Sequence, residues 1–284
     1  MVDYAPEVPG GRHLAEYEQM NTPVVLIHGM WCTGGDWKRV RDLLEPRGYR
    51  CHAPTLPAHE PTADQPLRVG RRSLREYLDF LEQYIREQDF PTPPILVGHS
   101  MGGLLAQQLA ARMPVFAVVL LTPAAPWGLN AAGLANLAPF ARVLGRWGFW
   151  NRPYKFSREA AAAYVYNGLS PERQKTCYER MVHESGRVAY EIGLWWADWG
   201  KTTSVDADAV RCPVYVVSCG ADRLTPAFAV RKVAGLYPQA THRHYPERGH
   251  WVIDDEETEE MIHGICGWLR PLEQRAARGQ QAPR

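Results

Sequence analysis

The sequence predicts an α/β fold, a mostly parallel central sheet with helices on both faces, and three observations predict it. Short apolar runs bounded by Gly and Pro recur along the chain. Amphipathic stretches of helical period separate them, the alternation that crossover connections between parallel strands produce. One of the runs also passes through a glycine-flanked serine, VGHSMGG at residues 97–103, directly into a helical stretch.

In chain order the strands are expected at residues 24–27, 49–53, 95–97, 115–121 and 213–218, with a last one at about 241–245. Their aliphatic and β-branched content suits strands buried on both faces. Residues 36–45 read as a helix with Asp36 as its N-cap. Residues 73–87 read as a second, opened by a capping box of Ser73 and Glu76. Residues 104–112 continue helically out of the serine turn, and residues 257–269 form the last helix. The Arg-rich polar tail at 271–284 is expected to fray from that helix into disorder. Between 127 and 205 there is no clean strand, only helix-like segments rich in Ala and aromatics. This region holds six of the ten tryptophans: Trp127, Trp147, Trp150, Trp195, Trp196 and Trp199. It reads as a helical cap insertion, 127–205, over one end of a core made of residues 1–126 and 206–270.

Composition narrows the function. A chain of 284 residues can bury one large core and carry an insertion. Its net charge of +1 supplies no long-range field for nucleic acid or an acidic membrane, which leaves small neutral partners. Residues 1–21 lack the apolar run of a signal peptide, and no segment reaches membrane-spanning length. The six cysteines (Cys32, Cys51, Cys177, Cys212, Cys219, Cys266) form no C-x-x-C pair. They are read as reduced thiols of a cytoplasmic protein. The ten histidines show no metal-ligand spacing, so neither a metal nor another cofactor is expected.

The chemistry centres on Ser100. A serine hydroxyl needs exposure, a base to take its proton and a group to orient that base. In Gly98-His99-Ser100-Met101-Gly102 a strand enters and a helix leaves, so a strained turn lifts the hydroxyl above the carboxyl end of the sheet. The same turn puts the Met101 N–H at a helix N-terminus, aimed where an oxyanion would form.

With these motifs the chain resembles the α/β-hydrolase fold superfamily, and within it the cap-bearing esterase and lipase-like members, over residues 23–269. The resemblance implies an HG pair after an early strand, met by His28-Gly29. Met30 would then supply the second oxyanion N–H, and His28 would stabilise its loop. Gly34 and Gly35 would let that loop approach the substrate. The acid follows the next strand of the pattern at Asp222, and the base is His250, in the Gly249-His250 loop before the last helix. Asp206 and Asp208 precede their strand, and His242 and His244 lie within one, so none of the four suits a catalytic role.

A serine at the elbow argues for acyl transfer through a covalent intermediate, hence a serine hydrolase acting on an ester or related acyl bond. A carbon–carbon bond hydrolase, an acyltransferase, a hydroxynitrile lyase-like enzyme and a small-molecule receptor remain alternatives on the same residues. The aromatic insertion suggests an apolar cleft and an apolar ester substrate. Trp31, Trp127, Trp195, Trp196, Trp199 and Trp251 are its candidate lining, with Trp195, Trp196 and Trp199 spaced as neighbours on a helix.

Overall fold

The computed structural model describes residues 22–129 and 145–281. Eight strands occur among them: β1 (Thr22–Ile27), β2 (Tyr49–His52), β3 (Ile95–His99), β4 (Ala117–Leu121), β5 (Pro153–Tyr154), β6 (Glu184–Ser185), β7 (Val214–Cys219) and β8 (Thr241–Tyr245). Six form one sheet in the order β2-β1-β3-β4-β7-β8, and every pairing in it is parallel. The three central strands β3, β4 and β7 are buried at every residue, because helices cover both faces. Parallel strands end on one side, so the loops after β3, β7 and β8 open at the same edge of the sheet. That edge is where such sheets bind ligands.

The helix Leu74–Glu87 shows why the sequence folds as it does. Ser73 accepts the Glu76 N–H while the Glu76 carboxylate accepts the Ser73 N–H, as the sequence predicts. Leu74, Tyr77, Leu78, Leu81 and Ile85 then form its buried stripe.

Three expectations need correction, and one glycine gains a structural reason. Thr33, not Asp36, caps the turn Gly34–Trp37, and Asp36 is the reciprocal partner of that capping box. Gly34 approaches the backbone of Ala53, where a Cβ would lie 2.1 Å from the carbonyl oxygen. The region between β4 and β7 does contain strands: β5 and β6 pair antiparallel, Pro153 with Ser185 and Tyr154 with Glu184. Two residues each are too few for an alternating pattern to show. Finally, the last helix runs Thr258–Gln281 through Pro271 instead of fraying at 269. Glu273 accepts hydrogen bonds from Thr22 (3.1 Å) and Tyr49 (3.3 Å), which fastens the turn beyond the proline to β1 and β2. Residues 1–21, 130–144 and 282–284, on which parts of the expected core, insertion and tail fall, lie outside the described residues.

Candidate active site

Ser100 stands between β3 and the helix Met101–Ala110 with φ 56° and ψ −119°. A non-glycine residue there costs about 1–3 kcal/mol, and persists only where its surroundings enforce it. Here the Ser100 N–H donates to Leu121 O (3.0 Å), and Ser100 O accepts from Gly103 (2.9 Å) and Ala124 (2.9 Å). Two glycines make the turn sterically feasible. A Cβ at Gly98 would lie 2.2 Å from the Gly102 oxygen, and one at Gly102 would lie 2.0 Å from Ile27 O. Met101 opens the helix, so its N–H is one of the first-turn donors without an intrahelical acceptor.

The loop after β1 packs directly against this elbow, since a Cβ at Gly29 would meet Ser100 Cβ at 3.0 Å. His28 holds the loop. Its Nε2 accepts from the Leu56 N–H (3.0 Å), which leaves Nδ1 to donate to Gly29 O (2.9 Å). Burial, followed by the nearby His59, pulls its pKa down to about 3, so it is a neutral strut. Met30 follows, nearly buried, with its carbonyl accepting from the Cys32 thiol (3.1 Å).

Asp222 and His250 meet beneath the surface, with His250 Nδ1 2.8 Å from Asp222 Oδ2 and both side chains buried. The carboxylate is fixed independently of the histidine. Oδ1 accepts from the Leu224 and Thr225 N–H groups (2.8 Å each), and Oδ2 accepts from the Thr225 hydroxyl (2.7 Å). That hydroxyl also lies 3.0 Å from Thr122 O and 3.2 Å from His250 Nδ1. His250 is tied to the elbow through its own backbone: its carbonyl accepts from His99 Nε2 (2.9 Å) and Thr122 Oγ1 (3.4 Å). The His99 and His250 rings are 4.8 Å apart. Burial and then the His250 charge hold the His99 pKa at about 3, so His99 donates as a neutral ring.

The region between β4 and β7 reaches the same loops. Asn167 donates to Ala221 O (2.9 Å), while the Ala221 N–H donates to Arg248 O (3.0 Å), so the backbone of one residue joins the region between β4 and β7 to the acid and histidine loops. Arg223 donates to Ala163 O (3.0 Å), and Arg173 pairs with Asp254 (2.9 Å). Asn167, Thr225, Thr122 and His99 carry no signal in the sequence beyond their closeness to Ser100 or Asp222, because their partners are remote in the chain.

The tryptophans divide. Trp31, at φ 63°, is buried and donates to Tyr154 O (3.2 Å). Trp251 is buried, edge-on to His99 and Tyr166. Trp127 and Trp195 pack edge to face at 5.8 Å. Trp196 and Trp199 are 67% and 98% exposed, and the stretch Trp195–Ala197 is a single 3₁₀ turn, so the expected shared helical face does not form. His242 and His244 lie in β8 with both rings on the Ser218 hydroxyl, as the sequence reading placed them. Among the described residues no group of three or more His, Cys, Asp and Glu side chains is disposed to hold a metal ion, and no helix is long and apolar enough to cross a membrane.

The profile of the Alpha/beta hydrolase family matches residues 24–263. The chain belongs to that family. Among relatives of this alpha/beta hydrolase, the magnesium-chelatase 30 kDa subunit of Rhodobacter capsulatus is 26% identical over 259 residues, 87% of this chain and 86% of that protein. The monoacylglycerol lipase of Mycolicibacterium smegmatis is 26% identical over 261 residues, 87% of each. A crystal structure of a pyrethroid hydrolase from Sphingobium faniae superposes with a TM-score of 0.63 at 22% identity, covering 87% of this chain and 96% of that one. That last likeness is one of fold.

Proposed function

We propose that this alpha/beta hydrolase is a serine hydrolase of carboxylesterase type, with Ser100, His250 and Asp222 as nucleophile, base and orienting acid. The observation that carries the reading is the buried 2.8 Å contact between His250 Nδ1 and Asp222 Oδ2 beside a serine held at φ 56°. The carboxylate fixes the tautomer with Nδ1 protonated, which leaves Nε2 free to accept the Ser100 proton. Ser100 Oγ adds to the acyl carbon, and the oxyanion takes hydrogen bonds from the Met30 and Met101 N–H groups. His250 returns the proton to the leaving alcohol, the C–O bond breaks, and an acyl-Ser100 remains. Water activated by the same imidazole releases the acid and restores the serine.

The esterase and lipase relatives support a small-molecule ester, and the packed rings of Trp31, Tyr154 and Phe156 support an apolar one. We assign the region 127–205 as a cap that selects substrate without touching the bond-breaking step. Six free thiols support a reducing, cytoplasmic setting. The test is labelling with a fluorophosphonate, followed by hydrolysis of p-nitrophenyl esters of increasing chain length. Ser100→Ala is expected to lose both labelling and turnover. Undiminished labelling of the alanine protein removes Ser100 from the role.

A further inference from the structure

We propose that one side of the molecule docks peripherally on an anionic lipid bilayer, through a ridge of exposed tryptophan, leucine and arginine. This inference does not depend on the chemistry proposed above. The ridge starts at Trp147, 89% exposed, whose ring packs edge-on to Trp150 at 5.2 Å. Trp150 in turn lies 6.4 Å from Tyr190, and both line a cleft of about 380 Å³ with Trp199, which is 98% exposed. On the other side of the same turn, Asn151 and Pro153 share a hollow with Leu67 and Arg71. Leu67 is 87% exposed, and Gly70 sits so close under Pro153 that a Cβ would lie 2.9 Å from its ring. The two patches are therefore continuous through residues 150–153.

Three apolar side chains this exposed along one connected stretch of surface are unusual, because soluble surfaces scatter their large apolar residues singly. The charges around them point one way. Arg71, Arg146 and Arg152 are exposed and make no salt bridge with a described residue. The carboxylates nearby are already engaged: Glu60 and Asp64, although exposed, are both held by Arg68 (3.5 and 3.1 Å). Asp198 is buried and accepts from the Gly200 and Thr202 N–H groups (3.1 and 2.7 Å). Glu191 is buried against Arg187 (2.8 Å), and Glu76 holds Arg72 (2.6 Å). Beside these engaged carboxylates, what projects into solvent is indole, leucine and guanidinium. Indole rings settle at headgroup depth, and arginine binds lipid phosphate in two-pronged fashion. The whole chain is close to neutral, so the attraction is local and acts at contact, within a Debye length of the surface.

The experiment sediments the full chain with vesicles of phosphatidylcholine alone, and of phosphatidylcholine mixed with phosphatidylglycerol. Expected is co-sedimentation with the anionic vesicles only, weakened by salt, with a blue shift of tryptophan emission. Each arginine changed to glutamine in Arg71→Gln, Arg146→Gln and Arg152→Gln is expected to lower partitioning about five-fold. Trp147→Ala with Trp199→Ala should lower it at least ten-fold at an unchanged melting temperature, since both rings are outside the core. Vesicle binding is read without turnover, so loss of esterase activity and loss of docking are separate results. No binding to anionic vesicles, equal binding to neutral ones, or tryptophan-dependent dimerisation in sedimentation velocity would each overturn the proposal.

Discussion

Replacing Thr225 by valine removes one hydroxyl from the Asp222–His250 pair, and with it the 3.0 Å contact of that hydroxyl to Thr122 O. In the structure that hydroxyl is 2.7 Å from Asp222 Oδ2, the same oxygen that faces His250 Nδ1 at 2.8 Å. After substitution Oδ1 keeps its two backbone N–H donors and Oδ2 keeps the histidine alone. A hydrogen bond to a charged group contributes about 1.5–3 kcal/mol. If all of it is expressed in holding the carboxylate for the imidazolium of the transition state, kcat falls roughly 10- to 150-fold. KM should change little, because Thr225 acts through Asp222 and positions rather than binds. Steady-state hydrolysis of a short p-nitrophenyl ester reads both constants, and Thr225→Ser, which restores the hydroxyl, should recover most of kcat. The reasoning is refuted if valine lowers the melting temperature yet leaves kcat intact, which would mean that backbone donors alone orient the acid.

Other outcomes follow from the same geometry. Asp222→Asn should lower kcat by about 10⁴-fold while the protein stays folded, since the amide favours the wrong imidazole tautomer; near-full activity would send the search to another acid. His59 gives a pH signature in stability. Its Nδ1 lies 3.2 Å from Pro57 O and its Nε2 3.1 Å from the Glu184 carboxylate, so both ring nitrogens face acceptors. Burial, the largest single influence, lowers its pKa, but the charge and hydrogen bond of Glu184 together with the Pro57 carbonyl and Glu60 make the net shift upward. A raised folded pKa stabilises fully below the unfolded value of about 6.5 and loses that contribution as pH rises through the folded value. The urea midpoint should therefore decline as pH rises from about 6 towards alkaline values, and the decline should be shallower in His59→Gln. Equal slopes in the two proteins would assign the decline to other groups.

The fold was legible where local chemistry decided it. Central strands β3, β4 and β7 are buried on both faces and read as aliphatic runs, and the Ser73–Glu76 box marks its helix start within four residues. The Ser100 elbow was legible because its glycines are required: a Cβ at Gly98 or Gly102 would lie 2.2 or 2.0 Å from a backbone oxygen, far inside van der Waals contact. What escaped depends on distant partners. Glu273 extends the last helix past Pro271 through Thr22 and Tyr49, more than 200 positions away. The β5–β6 ribbon is too short to carry a pattern of its own, and Glu184 within it is held by Tyr77 (2.8 Å), more than 100 positions away. Asn167 reads as an ordinary loop residue until the fold sets it against Ala221. The tryptophans misled for the opposite reason: residue type suggested a cleft, but spacing without a helix sent Trp196 and Trp199 to the surface.

The bonds from Asn167 to Ala221, Arg223 to Ala163 and Arg173 to Asp254 fix the region between β4 and β7 to the two loops that carry the acid and the histidine. That region is consequently not an interchangeable module. Grafting the corresponding stretch of a relative in order to move substrate preference would also withdraw the supports of Asp222 and His250, and a chimaera would lose rate before it gained selectivity. Redesign is safer when it keeps residues 157–181 and varies the stretches on either side.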